Sequence, residues 1–218
     1  MPLRKTAYEF VLKKILSGDY KPGQKLSEPS LAKLCGVSRT PMHEAVRALI
    51  EEGVLTQRPK SGTYVAELNR GDVRDAFEIR LAIETSLLEK AMPLLTAAQL
   101  DRLDRTVAAM RSAIEDMRHR QMPIMSGAAE RRFLENDVDF HLILLNASGN
   151  RLAARMVTNA YRRNQFFGTH SHQRNLSHVA RAWRYHAEIA RAVRRRDTAA
   201  AVRWLSQHIL SSMRDALS

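Results

Sequence analysis

Residues 27–65 constrain the fold more than any other part of the chain. Leu31, Ala32 and Leu34 recur at helical spacing, Gly36 breaks the pattern, and Val37 offers one apolar side chain to a tight turn. Ser38-Arg39-Thr40-Pro41 reads as the next helix start. A serine there can cap free amides, and a proline is tolerated in a first turn because its missing N–H has no partner. Ala45, Val46, Leu49 and Ile50 form the apolar stripe of that helix, and Gly53 stops it. Residues 54–57 and 63–66 follow as two strand-like runs joined by Arg58-Pro59-Lys60-Ser61-Gly62. Upstream, Tyr8, Val11, Leu12, Ile15 and Leu16 mark another helix, which Gly18 ends before the Lys21-Pro22-Gly23 turn. Three helices followed by a basic hairpin make a winged helix-turn-helix.

In that arrangement the helix after the glycine turn enters a major groove, and the hairpin lies along the backbone of the same duplex. Arg58 and Lys60 are then expected along phosphates, and Gly62 lets the main chain approach closely. The net charge of +12 asks for a polyanionic partner without choosing among nucleic acid, membrane surface and acidic protein. Its distribution adds something: residues 1–70 hold 12 Lys and Arg against 7 Asp and Glu, and seven of the eight lysines precede residue 70. This composition shift sets a boundary near Asn69-Arg70-Gly71-Asp72, giving a DNA-binding domain over 1–70 and a second domain over 71–218. No run approaches the roughly 18–20 apolar residues of a membrane span, the first residues lack the pattern of a secretory signal, and Cys35 has no intramolecular partner for a disulfide. The expectation is a cytoplasmic protein with no membrane partner, in which Cys35 is a small packing residue.

The residues also carry a resemblance. Pro22-Gly23-Gln24-Lys25-Leu26-Ser27-Glu28, Gly36-Val37-Ser38-Arg39-Thr40-Pro41, Glu44-Ala45-Val46-Arg47-Ala48-Leu49 and Arg58-Pro59-Lys60-Ser61-Gly62-Thr63-Tyr64-Val65 resemble the DNA-binding domain of the GntR family of bacterial regulators over nearly its whole length. The resemblance implies that Ser38, Arg39 and Thr40 at the helix start and Gly62 at the wing touch double-stranded operator DNA, with Arg39 suited to a guanine edge. His43 joins this set although relatives commonly place an arginine there, and Pro29 stands where many have a polar or basic residue. Taken singly, Arg39, Arg58 and Lys60 would read as solvated charges.

Beyond residue 70 no strand-like alternation is visible. Helical stretches are separated by Pro93, the 123–127 loop, Ser148-Gly149-Asn150 and residues 168–175, which predicts an all-α domain of six or seven helices. Arg194-Arg195-Arg196 reads as solvated surface. In a helix over about 131–146, Asp137 and His141 stand four residues apart and border the apolar stripe. His186 falls on the inward face of the next-to-last helix and His208 beside that of the last. His186 precedes Arg196 by ten residues and His208 follows Asp197 by eleven, so antiparallel packing sets the two at nearly one height. One carboxylate and three imidazoles desolvated together need compensation, which a divalent metal supplies; zinc comes first, with nickel, iron or manganese also suited to these donors. His119, His170, His172 and His178 have no such fit and read as surface residues.

Asp137-Val138-Asp139-Phe140-His141, with Leu144 and Ser148-Gly149-Asn150, resembles the signature of the FCD branch of the GntR family, whose effector domain is a helical bundle. The resemblance implies a metal held by Asp137, His141, His186 and His208, a small organic acid effector at that metal, and a homodimer. Arg80 and Glu84 resemble another recurrent piece of the branch: Arg80 pairs either with an effector carboxylate or with Glu84 at i, i+4. The expected function is a ligand-responsive transcriptional regulator, a repressor and not an enzyme. The alternative, a helical metalloenzyme built on the same cluster, leaves the wing and residues 38–41 without a purpose.

Overall fold

A computed structural model describes residues 3–67, 70–171 and 174–217. The chain divides into two compact units, Met1–Val73 with Arg162–Ser171, and Arg74–Tyr161 with His172–Ser218.

In the first unit, α1 (Leu3–Leu16), α2 (Glu28–Cys35) and α3 (Arg39–Glu51) share a core in which Val11 and Ile15 of α1 meet Leu31 of α2 and Val46 and Leu49 of α3. Ser27 caps α2 by accepting from Ser30 N, and Gly36 ends it in the left-handed region with φ +72. The expected cap at the start of α3 is not made. Ser38 sits at the N-cap position with extended backbone, but its side chain forms no capping hydrogen bond among the described residues. A capping hydroxyl accepts from the second or third amide of the helix, and Pro41 at the third position removes one of the two, leaving only that of Thr40.

The hairpin forms from β2 (Leu55–Arg58) and β3 (Gly62–Val65), paired antiparallel from Leu55↔Val65 to Arg58↔Gly62. A third strand, β1 (Lys25–Leu26), adds to the other edge of β3 and gives the order β1-β3-β2. Two residues are too short to show alternation, so periodicity cannot find β1. At the tip, Ser61 N bonds to Arg58 O at 3.0 Å, Pro59 occupies the second position of the turn, and Lys60 takes φ +57 at the third. That pattern usually holds glycine or asparagine where the lysine stands.

The rest of the described chain is helical: α4 (Arg70–Ala91), α5 (Ala97–His119), α6 (Gly127–Ala147), α7 (Arg151–Ser171), α8 (Leu176–Arg194) and α9 (Thr198–Leu217), with a 3-10 turn at Met92–Leu94. Two boundaries differ from expectation. α6 starts at Gly127 rather than near 131, and α7 continues through Gly168 to Ser171, since one glycine costs a helix only about 1 kcal/mol. His172 and the side chain of His170 lie outside the described residues; His119 is exposed, and His178 is half-buried in the first turn of α8.

Within the second unit, α5 packs on α6 and α8, and α8 and α9 form an antiparallel pair. Trp183 of α8 donates its indole N–H to Val107 O of α5 at 3.2 Å, and Arg181 of α8 reaches both Asp215 oxygens of α9, the closer at 2.6 Å. The α8–α9 turn passes through Arg196 at φ +58, and Asp197 Oδ1 accepts from Ala200 N to start α9. Arg196 is exposed, as expected, and its guanidinium also donates to the carbonyls of Met92 and Leu95. Arg194 pairs with Asp101 and Asp104 on the surface.

Candidate functional site

The expected cluster assembles. Asp137 and His141 come from α6, His186 from α8 and His208 from α9, and one donor atom of each lies within 4.8 Å of the others. The helical spacing puts Asp137 and His141 on one face of α6, and the antiparallel turn at Arg196 brings His186 and His208 level, with ring centroids 4.3 Å apart. All three imidazoles are buried, while Asp137 is half-buried. His141 Nε2 lies 3.2 Å from His186 Nε2 and 3.3 Å from His208 Nε2, and His186 Nε2 lies 3.2 Å from Asp137 Oδ1. Phe140 packs edge-on against His186 at 4.7 Å between centroids and keeps that side of the cluster apolar.

The far sides of the rings decide what the cluster can hold. His186 Nδ1 lies 2.8 Å from Ala182 O, and His141 Nδ1 lies 2.6 Å from Glu84 Oε2. An oxygen that close requires a proton on each Nδ1, although the His141 N–H is not aimed squarely at its oxygen and the contact is electrostatic before it is a hydrogen bond. A neutral ring then carries its lone pair on Nε2. The Nε2 lone pairs of His141 and His186 therefore face each other, with the Asp137 carboxylate beside them, and such a group repels itself unless a cation sits among its members. His208 Nδ1 is buried with no hydrogen-bond partner among the described residues, which leaves that ring without any proton-directed task on its outer side. The donor set fits a divalent metal.

Burial holds the His208 imidazole well below its ordinary value, and the neighbouring His186 and His141 add to that. Burial also lowers His141, opposed by the Glu84 carboxylate. For Asp137, burial alone would raise the carboxyl, but the adjoining His186, together with His141 and His208, outweighs it and holds the group well below the usual carboxylate range. Every shifted group in the cluster thus favours the form a metal needs, a neutral imidazole or an ionised carboxylate.

Arg80 pairs with its neighbour Glu84. Its Nε donates to Glu84 Oε1 at 2.8 Å, it donates again to the Tyr161 hydroxyl, and its guanidinium lies 3.6 Å from the Tyr161 ring centroid. Arg80 and Glu84 are 4% and 2% exposed. Two members of the site were not found from sequence. Glu84 was visible only as a partner of Arg80, and its second contact, to His141, depends on tertiary packing; Tyr161 follows a stretch of α7 with no spacing that singles it out.

In the first unit, Ser38, Arg39, Thr40 and His43 are exposed at the start of α3. Arg39, Thr40 and His43 line an open concavity with Glu28 and Pro29 of α2, and His43 Nδ1 lies 3.0 Å from Glu28 Oε2. On the hairpin, Arg58 is already engaged: it stacks on Tyr64 at 4.3 Å from the ring centroid and donates to Glu67 Oε2 at 3.2 Å. Ser61 and Tyr64 hydroxyls meet at 2.6 Å beneath the tip. Gly62 adopts φ +124, and a Cβ there would stand 2.9 Å from the Lys25 side chain.

A winged helix-turn-helix joined to a helical unit with a buried Asp/His cluster defines a DNA-binding protein with a sensory domain. Residues 3–65 match the bacterial regulatory proteins of the gntR family and residues 75–211 match the FCD domain. The chain belongs to the GntR family, in its FCD branch, and is a transcriptional regulator rather than an enzyme. It is 29% identical over 213 residues to the HTH-type transcriptional repressor RspR of Escherichia coli K12, covering 95% of this chain and 86% of that one. Among solved structures, E. coli McbR/YncC shares the fold with a TM-score of 0.77 at 19% identity, over 96% of this chain and 94% of that one. A GntR regulator from Rhodococcus sp. RHA1 also gives 0.77, at 18% identity, over 100% and 98%. No helix among the described residues is long and apolar enough to cross a membrane.

Proposed function

We propose that this regulator is a homodimeric repressor whose operator binding is controlled by a small carboxylate held at a divalent metal. The observation that carries the reading is the cluster of the His141, His186 and His208 Nε2 atoms beside Asp137, with oxygens behind His141 and His186 that leave their lone pairs facing inward. Asp137, His141, His186 and His208 hold the metal, with zinc the first choice among zinc, nickel, iron and manganese. The ion supplies a cationic centre that accepts carboxylate oxygens of an effector. Arg80 enters through Glu84, to which it is bonded, rather than through the effector.

Residues 1–70 read DNA in the cytoplasm, and residues 71–218 bind effector and dimerise. Two copies present two α3 helices to a pseudo-palindromic operator. Ser38, Arg39, Thr40 and His43 meet base edges and adjoining phosphates, while Arg58, Lys60 and Gly62 follow the backbone at the wing. The E. coli relative RspR is a transcriptional repressor, which supports the direction of control. Effector shifts the dimer toward one arrangement only by binding the two arrangements unequally.

The experiment is metal analysis of protein purified without chelator or affinity resin, then thermal-shift screening of mono- and dicarboxylic acids. About one metal per chain, with an acid that stabilises the metal-loaded form alone and changes operator affinity, is the expected result. Absence of both metal and metal-dependent ligand would sink the sensor reading and leave a DNA-binding protein with structural histidines.

A further inference from the structure

We infer that Glu84 fixes His141 as the tautomer protonated on Nδ1, and that Arg80 and Tyr161 are positioning residues that hold Glu84 to this task. The inference rests on the proposed metal site and deepens it. The Glu84 carboxylate is a bridge with one partner per oxygen: Oε1 takes the Arg80 Nε–H at 2.8 Å, and Oε2 lies 2.6 Å from His141 Nδ1. Arg80 and Glu84 stand one turn apart on α4, His141 is on α6 and Tyr161 on α7, and all four are buried.

Were Nδ1 unprotonated, its lone pair would face a carboxylate oxygen at 2.6 Å in a buried site, so the proton belongs on that nitrogen. The Nε2 lone pair is thereby turned toward Asp137, His186 and His208. A carboxylate behind an imidazole also makes the ring a stronger ligand. Arg80 keeps the carboxylate charged in the interior, and Tyr161 fixes the guanidinium by its hydroxyl and by the stacked ring. Stability alone explains this arrangement poorly, because a buried ion pair is often no better than apolar residues of the same volume.

The test uses full-length protein with 15N-labelled histidine, observed by NMR in the metal-free state and titrated with zinc by calorimetry. The parent is expected to show His141 as the Nδ1–H form. Glu84→Gln keeps the shape, but Arg80 claims the amide oxygen, so the amide nitrogen faces His141 and drives it to the Nε2–H form. Zinc affinity should fall by about 10–100-fold. The double variant Arg80→Met with Glu84→Met leaves no orphaned charge and is expected to fold, to lose the single tautomer and to lose zinc affinity similarly. A purely structural pair predicts parental zinc affinity in both variants, and that result overturns the inference, as does an Nε2–H form in the parent. If the parent takes no zinc yet Glu84→Gln flips the tautomer, the lock on His141 stands and the metal reading alone fails.

Discussion

His141 Nε2 and His208 Nε2 face each other at 3.3 Å with ring planes 18° from parallel, a stacked pair joining α6 to α9. On the outer side, neither Nδ1 makes a well-aligned hydrogen bond among the described residues, but His141 Nδ1 has the Glu84 carboxylate 2.6 Å away. The two rings should therefore respond differently to replacement.

His208→Leu removes a buried ring whose Nδ1 has no hydrogen-bond partner among the described residues, and keeps a similar volume. Metal-free protein carrying it should be more stable than the parent by about 1–3 kcal/mol. The same variant should lose the stabilisation that zinc gives the parent, and lose effector response while operator affinity stays at its basal level. Calorimetric unfolding with and without zinc, alongside operator titration, reads all three; retention of the zinc shift would remove His208 from the ligand set.

Metal-free stability should decline as pH falls below about 6.5, the ordinary imidazole value. Burial depresses His141 and His208 in the folded chain, so below that value the unfolded chain binds protons that the folded chain does not. Their contribution is complete above 6.5 and is lost as pH falls through the folded values. Asp137 and Glu84 are depressed too, and their contribution is lost only at lower pH, through the carboxylate range. Denaturant midpoints measured from pH 8 to pH 5 give the sign, and replacing His208 should flatten the upper part of the curve.

Arg39→Ala and Lys60→Ala should weaken operator binding in different ways. Arg39 is exposed at the start of α3, and its loss should cost about 1–3 kcal/mol and relax the preference at one base pair. Loss of the exposed Lys60 should weaken all sequences alike and reduce the salt slope by about 1. Anisotropy titrations on operator and scrambled duplexes at several salt concentrations separate the two patterns.

Gly62→Ala should destabilise the hairpin by about 1–3 kcal/mol. The nearby Lys25 Cε belongs to a flexible side chain and can move, so the φ of +124 is what the alanine cannot accommodate. An unchanged unfolding profile would show that the tip relaxes freely.

What the sequence reveals follows the range of each interaction. Ala45, Val46 and Leu49 repeat on one helix face, so α3 was readable, and the ten- and eleven-residue arms about the Arg196 turn were enough to level His186 with His208. β1 is two residues long, and its pairing is made only when β3 lies beside it. Ser38 shows a subtler limit: its type announces a cap that is not made, and Pro41 withdraws one of the two amides it could bind. Arg58 reads as a free wing cation until Glu67 and Tyr64 fold against it. The Glu84–His141 contact links α4 to α6, and no spacing within one helix can announce it.

On the proposed wing contact, Lys60 sets folding against binding at a single position. Its backbone occupies the left-handed region at the tip of the wing, where glycine or asparagine would make the better turn. A library selected for thermal resistance should therefore enrich Lys60→Gly and Lys60→Asn, and the sturdier winners should grip DNA less well. A library selected for operator binding should keep the lysine and accept the looser hairpin.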